Sequence, residues 1–188
     1  MSGPEDVDAL TLLRRRDPRG FDLAYRRYAP RLRGFLWRMT RNDDRVDDLL
    51  QHAFLRLAER GPELRADSDL HAWLFTVARN ACYDQLRLPS ASTANEEILE
   101  ALHSPHPDVE ARLLLGDIEA ALATLRPEDR EILLLVGVEG MSHDSVSRML
   151  GLQSAATRQR LARARSRLLV VLDKGSQEST ALSKRTPA

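Results

Sequence analysis

Between Ala155 and Val171 the chain carries Arg158, Arg160, Arg163, Arg165 and Arg167 and no acidic residue. Like charges three or four residues apart on a helix, such as Arg160 with Arg163 and Arg163 with Arg167, each cost roughly 0.2–0.5 kcal/mol. A helix kept only for packing would usually intersperse glutamates. Phosphates offset the repulsion, because neutralising them releases condensed counterions. The apolar residues Val146, Met149, Leu150, Leu152, Leu161 and Leu168 give the same stretch an inward side. Ser142 can cap a short helix, Gly151 can supply a left-handed turn residue, and Ser154 can cap a longer second helix. That is the arithmetic of a helix-turn-helix. In such a unit the first turn of the second helix meets base edges in the major groove, so Ser154, Thr157, Arg158 and Gln159 would read or position there. A solvated basic helix in an ordinary bundle is the competing reading.

A second candidate surface lies upstream. Val46, Leu49, Leu50, Ala53, Phe54 and Leu57 fall on one buried helical stripe. Asp48, Gln51, His52 and Leu55 share a face behind it at the same spacing. An outward leucine among polar groups suggests a protein contact, although single exposed apolar residues are common. A third surface comes from the helix whose buried stripe is Leu70, Trp73, Leu74, Val77, Ala78 and Ala81, where Trp73 reads as core. Its other face carries Thr76, Arg79, Asn80, Tyr83 and Arg87. Donors, positive charge and a ring that can stack on a base suit single-stranded nucleic acid. Taken singly, Arg79 and Asn80 would pass for ordinary solvent-exposed helix residues.

The elements that must position these faces are helices. Valine, isoleucine and aromatic residues are sparse, so the usual strand vocabulary is missing. The expected fold is all-α, with two small helical domains joined by a flexible linker. Residues 1–20 read as a helical N-terminal extension and residues 21–88 as the first domain. Residues 89–107 read as the linker, with Ser104-Pro105-His106-Pro107 and the acidic Glu96, Glu97 and Glu100 in it. The second domain is expected over 108–173, and the polar tail, 174–188, is expected to be disordered.

Lys+Arg and Asp+Glu both number 28, so net charge gives no argument for nucleic-acid binding. The single cysteine, Cys82, cannot form an internal disulfide. No phosphate-cradling glycine loop or nucleophile elbow occurs, and His52, His71, His103, His106 and His143 have no partners at ligand spacing. A catalytic activity, a metal, a cofactor and a small-molecule substrate are therefore not expected. With no export signal and no long apolar run, a cytoplasmic setting without membrane insertion is expected.

The strings "DDLLQHAFLRLA" and "HAWLFTVARNACYDQLR" resemble the polymerase-binding, promoter-melting domain (sigma2) of extracytoplasmic-function (ECF) sigma factors, in the sigma-70 family. "LATLRPEDREILLLVGVEGMSHDSVSRMLGLQSAATRQRLARARSRL" is similar to their promoter-reading helix-turn-helix domain (sigma4). The resemblance implies that Asp48, Gln51, His52, Phe54 and Leu55 lie on or beneath the face that docks on core RNA polymerase. It implies that the loop over residues 60–71, with Arg65 in it, joins Thr76, Arg79, Asn80, Tyr83 and Arg87 in capturing an unstacked base of the minus-ten promoter element. Ser154, Thr157, Arg158, Gln159, Arg160 and Arg163 would then serve the minus-thirty-five element of promoter DNA. It further implies an acidic tether in the linker and an anti-sigma factor as partner. The chain departs from the family where Ser145-Val146-Ser147 replaces the usual Glu-Ile-Ala, which predicts a lost or altered surface contact, and where Ala156-Thr157-Arg158-Gln159-Arg160 replaces Thr-Val-Lys-Ser-Arg. Two other readings stay open: a stand-alone helix-turn-helix regulator, and a sigma-like mimic that binds an anti-sigma factor without supporting initiation.

Overall fold

The computed structural model describes residues 4–87 and 109–183. The expected linker lies outside the described residues, with its acidic Glu96, Glu97 and Glu100. Among the described residues there is no strand. The N-terminal half consists of α1 (Pro4–Arg14), α2 (Pro18–Thr40), α3 (Asp43–Arg60) and α4 (Leu70–Arg87). The C-terminal half consists of α5 (Val109–Thr124), α6 (Pro127–Leu133), α7 (His143–Leu150) and α8 (Ser154–Ser183).

Polar side chains fix where the helices begin. Asp17 accepts from the Arg19 amide at 3.0 Å ahead of Pro18, and its carboxyl is held down to about 2 by the hydrogen-bonded Arg19 side chain. Asn42 accepts from the Arg45 amide at 2.9 Å, and Asp43 and Asp44 complement the N-terminal end of the α3 dipole. Asp69 does the same for α4 through the Ala72 amide at 3.0 Å. The helix α3 gives way to a tight turn at Gly61–Glu63.

The apolar stripes meet in the middle of the N-terminal half. Leu32, Phe35 and Leu36 of α2, Val46, Leu49, Ala53 and Leu57 of α3, and Leu70, Leu74, Phe75 and Ala78 of α4 are all buried. Phe35 and Phe75 meet edge to face with ring centroids 5.4 Å apart. Trp73 is half-buried and packs against this core from its rim. Cys82 is fully buried, and burial, with Glu131 nearby, pushes its thiol up to about 11.

Helix α1 closes one side of this bundle. Its buried Ala9 and Leu13 lie where α2 carries Gly20. A Cβ at Gly20 would stand 2.5 Å from the Leu13 backbone nitrogen, so only glycine allows this approach. Asp6 is anchored beneath by the Tyr28 hydroxyl and by Arg27 at 3.1 Å. The Tyr28 hydroxyl is correspondingly raised, first by burial and then by that carboxylate.

In the C-terminal half, α6 continues into a wider turn of helix over Leu134–Val138, closed by the Glu139 amide on the Leu134 carbonyl at 2.9 Å. Ile132, Leu134, Leu135, Val146 and Leu161 are buried, in a cluster continuous with the N-terminal core. Helix α8 runs on to Ser183, where a disordered tail was expected from Lys174 onward. Polar composition removes the drive to bury, but residues such as Gln177, Glu178, Ala181 and Leu182 extend a helix that tertiary packing has already nucleated.

Two glycines make opposite predictions. Gly20→Ala should lower stability by more than about 1 kcal/mol, because α1 must shift off α2. Gly116→Ala, in an exposed part of α5 with nothing within 4 Å of the added Cβ, should raise stability by about 0.5–1 kcal/mol through helix propensity. Urea unfolding of the two variants beside the parent measures both signs.

Candidate nucleic-acid and protein interfaces

The outward side of α2 and α3 forms an apolar groove whose lining includes Phe21, Tyr25, Leu50, Gln51, Phe54 and Leu55. Phe54, 4% exposed, forms the floor. Tyr25 covers it with ring centroids 4.7 Å apart, and Phe21 at 5.9 Å. Leu55, at 56% exposure, and Tyr25, at 46%, are left to solvent. Such a cluster of exposed apolar side chains is a protein-docking feature. Of the residues singled out in sequence, the structure brings Gln51, Phe54 and Leu55 together in the groove. Asp48 and His52 are exposed on the same helix but do not line it. Phe21, Tyr25 and Leu50 were missed. The signal for the first two was an aromatic pair four residues apart on α2.

The face of α4 is occupied from within the chain. Arg79 donates through Nε to Glu131 Oε1, and the Tyr83 hydroxyl donates to Glu131 Oε2 at 2.9 Å. The Arg79 guanidinium also lies over the Tyr83 ring at 4.6 Å and donates to Asn80 Oδ1 at 3.0 Å. Glu131 is completely buried. Burial raises its carboxyl, and the hydrogen-bonded Arg79 works against that rise. The Tyr83 hydroxyl is raised by burial first and by Glu131 second. Thr76 turns its hydroxyl back to the Ala72 carbonyl at 2.6 Å. Asn80 is exposed, and Arg65 is exposed in the preceding loop, paired with Asp67 at 3.0 Å. Arg87 is the last residue of α4.

The helix-turn-helix has the expected local construction. Ser142 caps α7 by accepting from the Ser145 amide at 3.1 Å, and Gly151 takes φ +64° at the turn. Ser154 departs from its expected role. It is the first residue of α8, and its hydroxyl donates to Asp144 Oδ1 at 2.8 Å instead of capping the helix.

Thr157 faces inward, toward α7. It is fully buried, with Oγ1 2.9 Å from Ser147 Oγ, because one helical turn of α8 must face α7. The same bond explains the departure at 145–147. Ser147 is 5% exposed and donates to the His143 carbonyl at 2.6 Å, and Ser145 is 9% exposed with Oγ 3.1 Å from Ser142 Oγ. Both serines therefore lie on the inside of the reading pair, so the lost or altered contact expected there concerns packing and not the outer surface.

The outward face of α8 is Arg158, Gln159, Arg163 and Arg165, all exposed and with no acidic partner among the described residues. Arg160 is half-buried, and its charge favours the ionised form of Glu131. Arg167 is paired with Asp129 of α6. The run of five arginines thus divides, with three facing solvent and two turned toward α6.

Known proteins share this arrangement. Residues 24–88 match Sigma-70 region 2, and residues 115–168 match Sigma-70, region 4. The chain is 34% identical to the ECF RNA polymerase sigma factor EcfG of Rhodopseudomonas palustris over 145 residues, which cover 76% of this chain and 80% of that one. It is 33% identical to the RNA polymerase sigma factor CarQ of Myxococcus xanthus over 154 residues, 81% of this chain and 88% of that one. Among solved structures it is similar to the sigma factor RpoE of Bartonella quintana, crystallised with the anti-sigma factor NepR. The TM-score is 0.66 at 28% identity, over 81% of this chain and 96% of that one. With both sigma-70 regions in order and two sigma factors this similar over most of their length, the chain belongs to the extracytoplasmic-function sigma factors of the sigma-70 family.

Proposed function

We propose a division of labour among the three surfaces of this sigma factor, a non-enzymatic initiation factor that brings core RNA polymerase to promoters. The groove of Phe21, Tyr25, Gln51, Phe54 and Leu55 docks on core polymerase, with Asp48 and His52 at its margin. The α4 face of Arg79, Asn80 and Tyr83, with Thr76, Arg87 and Arg65 around it, holds the unpaired strand of the minus-ten element. The outer face of α8 holds the minus-thirty-five element, with Gln159 toward base edges and Arg158 and Arg163 on phosphates. Ser154, Thr157 and Arg160 support that face from behind. The observation that carries this reading is the unpaired arginine face of α8 beside a helix-turn-helix whose inner polar groups are all satisfied.

Charge on that face is available to phosphate without breaking any internal pair, and each phosphate neutralised releases counterions. The polymerase supplies all nucleotidyl-transfer chemistry, and the factor needs no cofactor of its own. An anti-sigma partner is supported by the RpoE–NepR relative. The exposed aromatic groove offers such a partner the surface that polymerase would otherwise take. No described helix is long and apolar enough to cross a membrane, and a cytoplasmic place of action follows from the function.

Run-off transcription with purified core polymerase and a genomic promoter library tests the reading. Discrete start sites that depend on the protein are expected, and Leu55→Asp should abolish them while leaving the melting temperature unchanged, since Leu55 is exposed. Polymerase binding without any start site would favour a sigma mimic. Specific duplex binding without polymerase would favour an autonomous regulator.

Arg158→Ala and Arg163→Ala should each weaken promoter binding and lower the salt slope by about one unit per lost phosphate contact. Slopes that stay at the parent value in both variants would refute the phosphate assignment. Asn80→Ala should leave closed complexes intact and impair opening, because an exposed amide beside Arg79 acts only on an unstacked base, whose extrusion costs a few kcal/mol. Permanganate reactivity of the minus-ten thymines reads this directly, and undiminished reactivity would remove Asn80 from the site.

A further inference from the structure

The chain places an arginine where a helix end ordinarily takes glycine. At the end of α1 the Arg16 amide donates to the Leu13 carbonyl at 2.9 Å, and the Asp17 amide reaches back to the Leu12 carbonyl at 3.0 Å. This pair of bonds puts Arg16 in the left-handed position that closes a helix, with φ 58°. Helix α7 ends in the same way, with the Gly151 and Leu152 amides on the Arg148 and Ser147 carbonyls, but there the left-handed residue is glycine at φ 64°. A side chain in that conformation crowds the following carbonyl, and glycine avoids the strain. Among the described residues one other non-glycine residue has positive φ, Arg41. Its guanidinium lies over the Trp37 ring at 4.2 Å and 3.7 Å from Glu119, so contacts hold it there. The Arg16 side chain is exposed and has no such contact among the described residues. Strain carried with no internal contact to hold it implies a contact outside the chain.

Arg16 completes a run with Arg14 and Arg15, both exposed and likewise without a carboxylate partner among the described residues. The α1 dipole accounts for a cation in the last turn, which is Arg14 alone. The arginines that begin α2 and flank the Gly61 turn are neutralised, Arg19 by Asp17 at 2.6 Å, Arg60 by Glu63 at 2.8 Å and Arg65 by Asp67 at 3.0 Å. Open guanidinium groups side by side bind phosphate oxygens in pairs, which a nucleic-acid backbone presents in series. Placement favours the same partner. Helix α1 packs on α2, on α4 and on the Gly61–Glu63 turn, and a Cβ at Gly61 would stand 3.3 Å from Leu13 Cδ2. The run therefore adjoins the turn that opens the segment of residues 60–71, with Arg65 in it. The apolar groove, by contrast, is built on α2 and α3.

We propose that Arg14, Arg15 and Arg16 form a phosphate-binding ridge that holds the promoter backbone beside the captured minus-ten base, with Arg16 kept in its strained position to complete it. The proposal deepens the assignment of residues 60–71 and the α4 face to the minus-ten element, and rests on it. The ridge contributes to binding whatever the sequence of the strand, and its contribution falls as salt rises. Glycine at position 16 would relieve the strain and remove a charge, so stability and binding there move in opposite directions.

The test uses holoenzyme assembled from core polymerase and the full chain, on the strongest promoter fragment recovered by run-off transcription. Arg16→Gly should raise the melting temperature of the free factor and yet weaken promoter binding by roughly fivefold. The triple variant Arg14→Gln, Arg15→Gln, Arg16→Gln should weaken it by roughly fiftyfold and lower the salt slope by about two to three units, near one per lost phosphate contact. Affinity for core polymerase should match the parent in both. A higher melting temperature with parental promoter binding would make Arg16 a solvated residue and overturn the proposal. Weakened polymerase binding would overturn it too, by giving the run to an acidic protein surface. Parental binding by the ridge variants alongside impaired opening in Asn80→Ala would remove the ridge and keep the minus-ten reading. Normal opening in Asn80→Ala would remove that reading, and the proposal with it.

Discussion

A carboxylate with no exposure to water has to be paired where it stands, and Glu131 is such a group. Its burial fixes the placement of α6 against α4, because only there do Arg79 and Tyr83 supply donors to both of its oxygens. Removing one partner of a buried pair typically costs about 3–5 kcal/mol, whereas an exposed pair contributes about 1 kcal/mol or less. The pairs on the outer surface, such as Arg56 with Glu59 or Arg65 with Asp67, are therefore incidental to the arrangement. The register between the halves depends on Glu131, on Arg130 over the end of α2, and on the apolar cluster beneath them.

The helix-turn-helix follows a different rule, in which neutral polar groups settle one another at short range. Ser142 meets Ser145 at the start of α7, Ser147 meets Thr157 between α7 and α8, and Asp144 holds Ser154 at the outer end. Each hydrogen bond contributes about 0.5–1.5 kcal/mol net, but leaving any member buried and unmade would cost more. The chain thereby keeps the orientation of α8 without the usual family residues at 145 and 147. The substitutions are compatible with one another: a serine at 147 is tolerated where Thr157 can meet it.

Much of this was legible in the sequence because it is local. The apolar spacing in α3 and α4, the capping Ser142 and the turn at Gly151 act over four residues or fewer, and each appears where the periodicity puts it. The all-helical architecture follows from the same signals, while the two sigma-70 regions were legible through the resemblance of whole motifs. What the sequence concealed is long-range. Nothing near Arg79 in the chain announces that its partner is 52 residues away. Thr157 looked like a reading residue because its type is polar, and only packing against Ser147 turns it inward. Phe21 and Tyr25 were passed over because their partner, Phe54, lies on another helix.

Charge shows the same division most sharply. The chain has equal numbers of acidic and basic side chains, so composition alone gives no argument for nucleic acid. The structure sorts those charges by surface. Glu119, Asp129, Glu131 and Glu139 all sit in the C-terminal half, are buried, and are paired with arginines. Three of those four pairs reach across to the N-terminal half. Consuming acids in this way leaves Arg158, Arg163 and Arg165 uncompensated on the outer face of α8. One sequestration therefore has two consequences: it holds the halves together, and it gives a neutral protein a locally cationic helix for phosphate to find.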